Sequence, residues 1–119
     1  MLARKPGACR HARQIAFFQN NAYNPQMGKL FDRIRSAVRE DRFLVSWHAD
    51  ERSEEREVAV WQLVAGLEDA RLERERPASK PHPSIVVREE LADGTEVEVI
   101  WAWLPESRRA ILVTVYFTE

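Results

Sequence analysis

Apolar residues recur along the chain in two rhythms, and the change between them divides it. From Met27 onward Leu30, Phe31, Ile34, Ala37 and Val38 fall at i, i+1, i+4, i+7 and i+8. That spacing predicts an amphipathic helix of roughly 13 residues, with Arg33, Arg35, Arg39 and Glu40 around its polar side. A short extended stretch, Phe43-Leu44-Val45-Ser46, follows. A second helical region is expected from near His48 to Gly66, where glycine suits a helix C-terminus. Its apolar stripe is Val60, Leu63, Val64 and Leu67, flanked by Val58 and by Trp61, which is read as core packing.

Beyond Leu67 the rhythm shortens to two. Residues 70–76 alternate weakly and residues 85–91 strongly, and Ala92-Asp93-Gly94-Thr95 carries the Asp-Gly signal for a tight hairpin into Glu96–Leu104. Val97, Val99, Trp101 and Trp103 share one face of that strand, opposite Glu96 and Glu98. Pro105-Glu106-Ser107-Arg108 turns the chain into a last strand, residues 110–118, with Ile111, Val113, Val115 and Phe117 expected inward and Leu112, Thr114, Tyr116 and Thr118 outward. Between the first two strands, the prolines of residues 77–83 exclude regular structure and predict a projecting loop. Helices first and strands afterwards indicate an α+β fold, two or three helices packed on a curled antiparallel sheet of about four strands.

Composition narrows this picture. The chain has 119 residues, 45% hydrophobic and 31% charged, the profile of one globular domain. No stretch approaches the ~20 apolar residues of a membrane span, so no membrane partner is expected. A lone cysteine, Cys9, forms no intramolecular disulfide, and a reducing cytoplasm is the expected compartment. Residues 1–26 hold Arg4, Lys5, Arg10 and Arg13 and no acid, whereas residues 27–119 carry 14 basic against 19 acidic side chains. The first part is read as a poorly ordered leader and residues 27–119 as a single α+β domain. An organellar transit peptide or a nucleic-acid-binding arm would share the leader's charge, but a start codon called too early, with Met27 the true initiator, is the simplest account.

Chemistry concentrates in residues 46–56. With Ser46 as helix cap, His48, Arg52 and Arg56 rise at i, i+4 and i+8 along nearly one side. Histidine titrates near neutrality and guanidinium groups match the fork of phosphate oxygens, so the row suits a phosphodiester: Arg52 and Arg56 hold the phosphate and His48 moves a proton. The competing account pairs both arginines with Glu51, Glu54, Glu55 or Glu57 on an ordinary solvated helix face. Thr114 and Tyr116, joined by Arg88, line either solvent or a concave sheet surface, and Thr and Tyr also serve strands through β-propensity alone. Trp47 is either a base-stacking ring or hydrophobic filling. His11, His48 and His82 lack the spacing of a zinc helix, and no Gly-rich phosphate loop or nucleophile elbow occurs, so neither a metal nor a nucleotide cofactor is expected. Carboxylate pairs such as Glu54-Glu55 and Glu89-Glu90 are read as surface charge.

Read in order, Ser46-Trp47-His48-Ala49-Asp50-Glu51-Arg52-Ser53-Glu54-Glu55-Arg56 and Val113-Thr114-Val115-Tyr116 resemble the family known as domain of unknown function 4258, over roughly residues 28–118. Ser53 stands where that family usually has an apolar residue, and Glu57 where it has glycine or a small polar one. The resemblance implies a fold related to RelE-like and BrnT-like toxins, within a group of small ribonucleases that need no metal because the ribose 2′-hydroxyl is the nucleophile. It implies His48 as general acid or base, Arg52 and Arg56 countering phosphorane charge, and Thr114 and Tyr116 as cleft contacts, a row that Arg88 joins as a substrate-binding candidate by its strand alternation with Ile85 and Val87. RNA and a cognate antitoxin-like protein are the partners that follow. The acidic balance of residues 27–119 argues against bulk polyanion binding and keeps a catalytically silent interaction module as the alternative.

Overall fold

The computed structural model describes residues 28–117; the leader expected over residues 1–26 lies outside them. Three helices, α1 (Lys29–Arg39), α2 (Trp47–Glu55) and α3 (Val60–Gly66), combine with five strands, β1 (Phe43–Val45), β2 (Arg71–Arg76), β3 (Ser84–Glu90), β4 (Glu96–Leu104) and β5 (Arg109–Phe117). The sheet order is β1-β5-β4-β3-β2. Four strands form the expected antiparallel meander, and the short stretch at residues 43–45 adds a fifth, parallel to β5, so the sheet is mixed. All three helices bury their apolar residues against one face: Leu30, Phe31, Ile34 and Ala37 of α1, Ala49 of α2 and Leu63 of α3 meet Ile85, Val87, Val97, Val99, Trp101 and Leu112. Gly28 caps α1 without a side chain, and Glu75 of β2 supplies the missing acceptor, taking the Phe31 N–H at 2.8 Å.

The second helical region is two helices. After Glu55 the chain closes a Schellman motif: the Val58 N–H donates to the Ser53 carbonyl at 2.9 Å and the Glu57 N–H to the Glu54 carbonyl at 3.0 Å, with Glu57 left-handed at φ 59°. The end of α1 repeats the device with Asp41 at φ 62°. Both left-handed positions hold acids, so a search for glycine finds neither stop. Gly66, by contrast, is right-handed at φ −67° and serves another purpose, described below. Trp61 is 67% exposed, a correction to its expected place in the core: once Leu63 and Leu67 turn inward, the ring one residue after Val60 points to solvent.

On β4 the two-residue alternation holds, and Val97, Val99, Trp101 and Trp103 all face the core. On β5 it breaks. Ile100 pairs with Thr114 but Trp101 pairs with Leu112, leaving Val113 as an extra, bulged residue. Val115 and Phe117 therefore face inward as expected, whereas Leu112 is a buried core residue and Ile111 lies on the outer face, the reverse of the unbroken pattern.

Glu89 is a second correction. It follows Ile85 and Val87 onto the core side of β3 and is 1% exposed. Its Oε2 accepts from the Trp101 indole N–H at 3.4 Å, and its Oε1 has no partner among the described residues. Burial pushes this carboxyl up to about 8, only partly offset by the indole hydrogen bond. Gly66 makes room for it, since a Cβ there would stand 2.7 Å from Oε1.

Candidate functional site

The bulge in β5 is also where the candidate site begins. Val113 has no cross-strand partner on β4, and its carbonyl accepts from the Ser46 hydroxyl at 2.7 Å; the Ser46 hydroxyl oxygen in turn accepts the Ala49 N–H at 3.0 Å. One hydroxyl thus serves the irregular strand and caps α2, as the sequence predicts for Ser46. Its backbone N–H continues the pairing, donating to the Leu112 carbonyl at 2.9 Å. Ser46→Ala is expected to lower the unfolding free energy by about 1–2 kcal/mol, because cap and bulge partner go together. Ser46→Thr keeps donor and acceptor and is expected to stay near wild type; denaturant titration of both variants makes the comparison, and equal losses would refute the dual role.

From this anchor α2 runs beside the C-terminal half of β5. Ser46 touches Val113 at one end, and at the other the Arg56 guanidinium lies 4.9 Å from the centre of the Phe117 ring. Ten residues of helix rise about 15 Å and four residues of strand about 13 Å, so helix and strand keep pace. Ala49 and Ser53 form the buried side. His48 is exposed in the first turn, beside Trp47, which is 76% exposed. Arg52 is half-buried one turn further and stands 3.9 Å from Glu55, the outer limit of an ion pair. Arg56 ends the row against a core-facing ring. His48 and Arg56 are exposed and Arg52 lies half-buried between them.

The sheet residues fall differently. Thr114 and Tyr116 share the outer face of β5, but Thr114 is buried, with no partner for its Oγ1 among the described residues, while Tyr116 is 49% exposed. Register places Arg88, Glu98 and Tyr116 side by side on β3, β4 and β5. Arg88 therefore joins the row of Tyr116 at about 10 Å, two strand spacings away. Its guanidinium is engaged, 2.8 Å from Glu73 and 4.0 Å from Glu98. The hydrogen bond from Arg88 holds the Glu73 carboxyl below the usual range. Sharing a hydrogen bond with Glu73, together with burial, raises that of Glu98. Nothing in the sequence marks Glu73 as the partner of Arg88; Glu98, expected on the polar face of its strand, pairs opposite Arg88 once the hairpin register is fixed.

No group of three His, Cys, Asp or Glu among the described residues is placed to hold a metal ion, and no described helix is long and apolar enough to cross a membrane. The Ser46–Arg56 helix and the Val113–Tyr116 strand, joined by the Ser46 hydroxyl, fall within residues 45–117, which match the family model described as Domain of unknown function (DUF4258). The chain belongs to this family. Because the match starts at Val45, the DUF4258 region comprises α2, α3 and β2 to β5, while α1 and nearly all of β1 precede it; the span of 28–118 expected from sequence was too long at its start. No curated protein matches the chain, and no solved structure matches it.

Proposed function

We propose that this DUF4258 protein is a toxin-like endoribonuclease that cleaves RNA without a metal ion, with a fold of the RelE and BrnT type. The observation that carries the reading is the exposed His48 on the first turn of a capped helix, with Arg52 one turn on along the same flank. The ribose 2′-hydroxyl attacks the adjacent phosphorus, the bond to the 5′-oxygen breaks, and the products are a 2′,3′-cyclic phosphate and a 5′-hydroxyl. One proton leaves the attacking oxygen and one joins the departing oxygen; His48 carries one of the two and water the other. Arg52 faces the charge that gathers on the phosphorane, and its distant contact with Glu55 leaves its N–H groups available for that purpose. Trp47 offers an exposed ring for an unpaired base.

A second reading rests on Trp47, Trp61, Leu44 and Tyr116, large apolar side chains exposed on several elements, and on an excess of four negative charges over residues 28–117. These suit a catalytically silent module that binds a cognate protein. Incubating the purified protein with single-stranded RNA in excess EDTA separates the two. Cyclic-phosphate ends on the fragments, with growth arrest when the chain is induced in a host cell, are the expected result. Intact RNA and normal growth at high soluble expression would leave the interaction module.

A further inference from the structure

An open groove of about 410 Å³ lies along α1, between that helix, the β4–β5 turn and the residues that enter β1. Four of its lining residues are Lys29, Arg33, Arg42 and Arg108. The carboxylates there are already occupied: Glu40 lies 2.9 Å from Arg42, and Asp32 turns 3.7 Å from Arg35. Lys29, Arg33 and Arg108 enter no ion pair with any described residue. One of these cations is held in place, and the backbone that carries a second is fixed. The Arg33 guanidinium sits 5.9 Å from the centre of the buried Trp103 ring. Arg108 is left-handed at φ 57°, its N–H bonded to the Leu104 carbonyl at 2.8 Å and its own carbonyl accepting from Arg42. Three cations gathered with no ion-pair partner among the described residues, on a domain with a net negative charge, repel one another until an anion joins them.

We infer that this groove binds the phosphate groups of a polyanion, and that, resting on the ribonuclease reading, it carries the RNA backbone beyond the cleaved bond. Arg108 directly precedes β5, and Ser46 binds Val113, five residues on, about 17 Å along an extended strand. A few nucleotides of backbone span that distance between the groove and His48. The local cluster also answers the objection that the domain is acidic overall, since affinity follows the cations a phosphate meets rather than the total charge.

The test is fluorescence anisotropy of a labelled oligouridylate at several salt concentrations, with an NMR titration of inorganic tripolyphosphate read at the Trp103 indole N–H. Wild type, Lys80→Gln in the loop before β3 and the combined variant Lys29→Gln/Arg33→Gln/Arg108→Gln are compared. Three phosphate contacts make affinity fall about twentyfold between about 50 and 200 mM salt, and the combined variant is expected to bind RNA at least tenfold more weakly with a flatter salt dependence, while Lys80→Gln binds as wild type. RNA binding untouched by the combined substitution would overturn the groove and leave the nuclease reading standing. Tripolyphosphate bound at Trp103 and lost in the combined variant, with no RNA bound by wild type, would keep the groove and remove RNA as its ligand. Binding of neither probe would overturn the proposal.

Discussion

Replacing Glu89 by glutamine is expected to make the protein more stable at neutral and alkaline pH and to remove the largest single source of pH dependence in its unfolding. The carboxyl lies in the core with one long hydrogen bond from Trp101 and an unpartnered Oε1. Burial raises it from 4.5 to about 8, so between those values the folded chain holds a proton that the unfolded chain has released. Stability therefore falls as pH rises through this window, by on the order of 5 kcal/mol in all, and levels off above it. Below 4.5 both states are protonated and the contribution is fully present. Glutamine keeps the size and an acceptor for the indole but has nothing to ionise. Denaturant titrations of both proteins at about pH 5, 7 and 9 are expected to show a difference that is small at the first and largest at the last. Glu73 and Asp93, whose carboxyls are lowered, lose their contribution only as pH falls below 4.5, outside this range. A gap constant from pH 5 to 9 would show that Glu89 is already ionised in the fold at pH 5, as it is in the unfolded chain.

The same residue illustrates what the sequence discloses. Ile85, Val87 and Glu89 share a parity, so the strand rhythm alone puts a carboxylate in the core; composition, with nearly a third of the chain charged, hides it among surface acids. The neighbour that tolerates it is equally misleading. A glycine after a helical stripe reads as a left-handed stop, yet Gly66 is helical and owes its identity to the missing Cβ beside Oε1. The true stops are Asp41, one of the few side chains enriched in this conformation, and Glu57, which seldom marks it. Local pattern succeeds where one element decides the outcome, as in the stripe of α1, the alternation of β4 and the Asp93-Gly94 hairpin, whose Asp93 carboxylate accepts the Thr95 N–H at 2.9 Å. It fails where two elements decide together.

The candidate site follows that division. Ser46, His48 and Arg52 lie on one helix, and their spacing fixes their common side before any tertiary fold is known. Arg56 belongs to the same row, but its end is decided by Phe117 on another element. The face of Thr114 and Tyr116 depends on the slip at Val113, and the engagement of Arg88 depends on Glu73 from β2. The cations of the groove come from α1, the segment before β1 and the β4–β5 turn, far apart in the chain, so no linear motif announces them.

His48→Ala is expected to lower RNA cleavage by about 10²–10⁴-fold, the range for losing a positioned proton-transfer group, with little change in stability because the ring is exposed and Ser46, not His48, caps the helix. Single-turnover cleavage of a short RNA measures the loss, and His82→Ala, altering a half-buried ring in the loop before β3, is the control. Exposure adds a sharper test. A ring that faces solvent leaves a gap that free imidazole can enter, so added imidazole is expected to restore part of the rate to His48→Ala and none to Arg52→Gln. Arg52→Lys separates charge from shape at the neighbouring position: a point charge without the planar fork binds one phosphate oxygen where the guanidinium binds two, and a rate between wild type and Arg52→Gln is expected. Cleavage by His48→Ala at the wild-type rate would remove the imidazole from the mechanism, and with it the reason for assigning the chemistry to this face of α2.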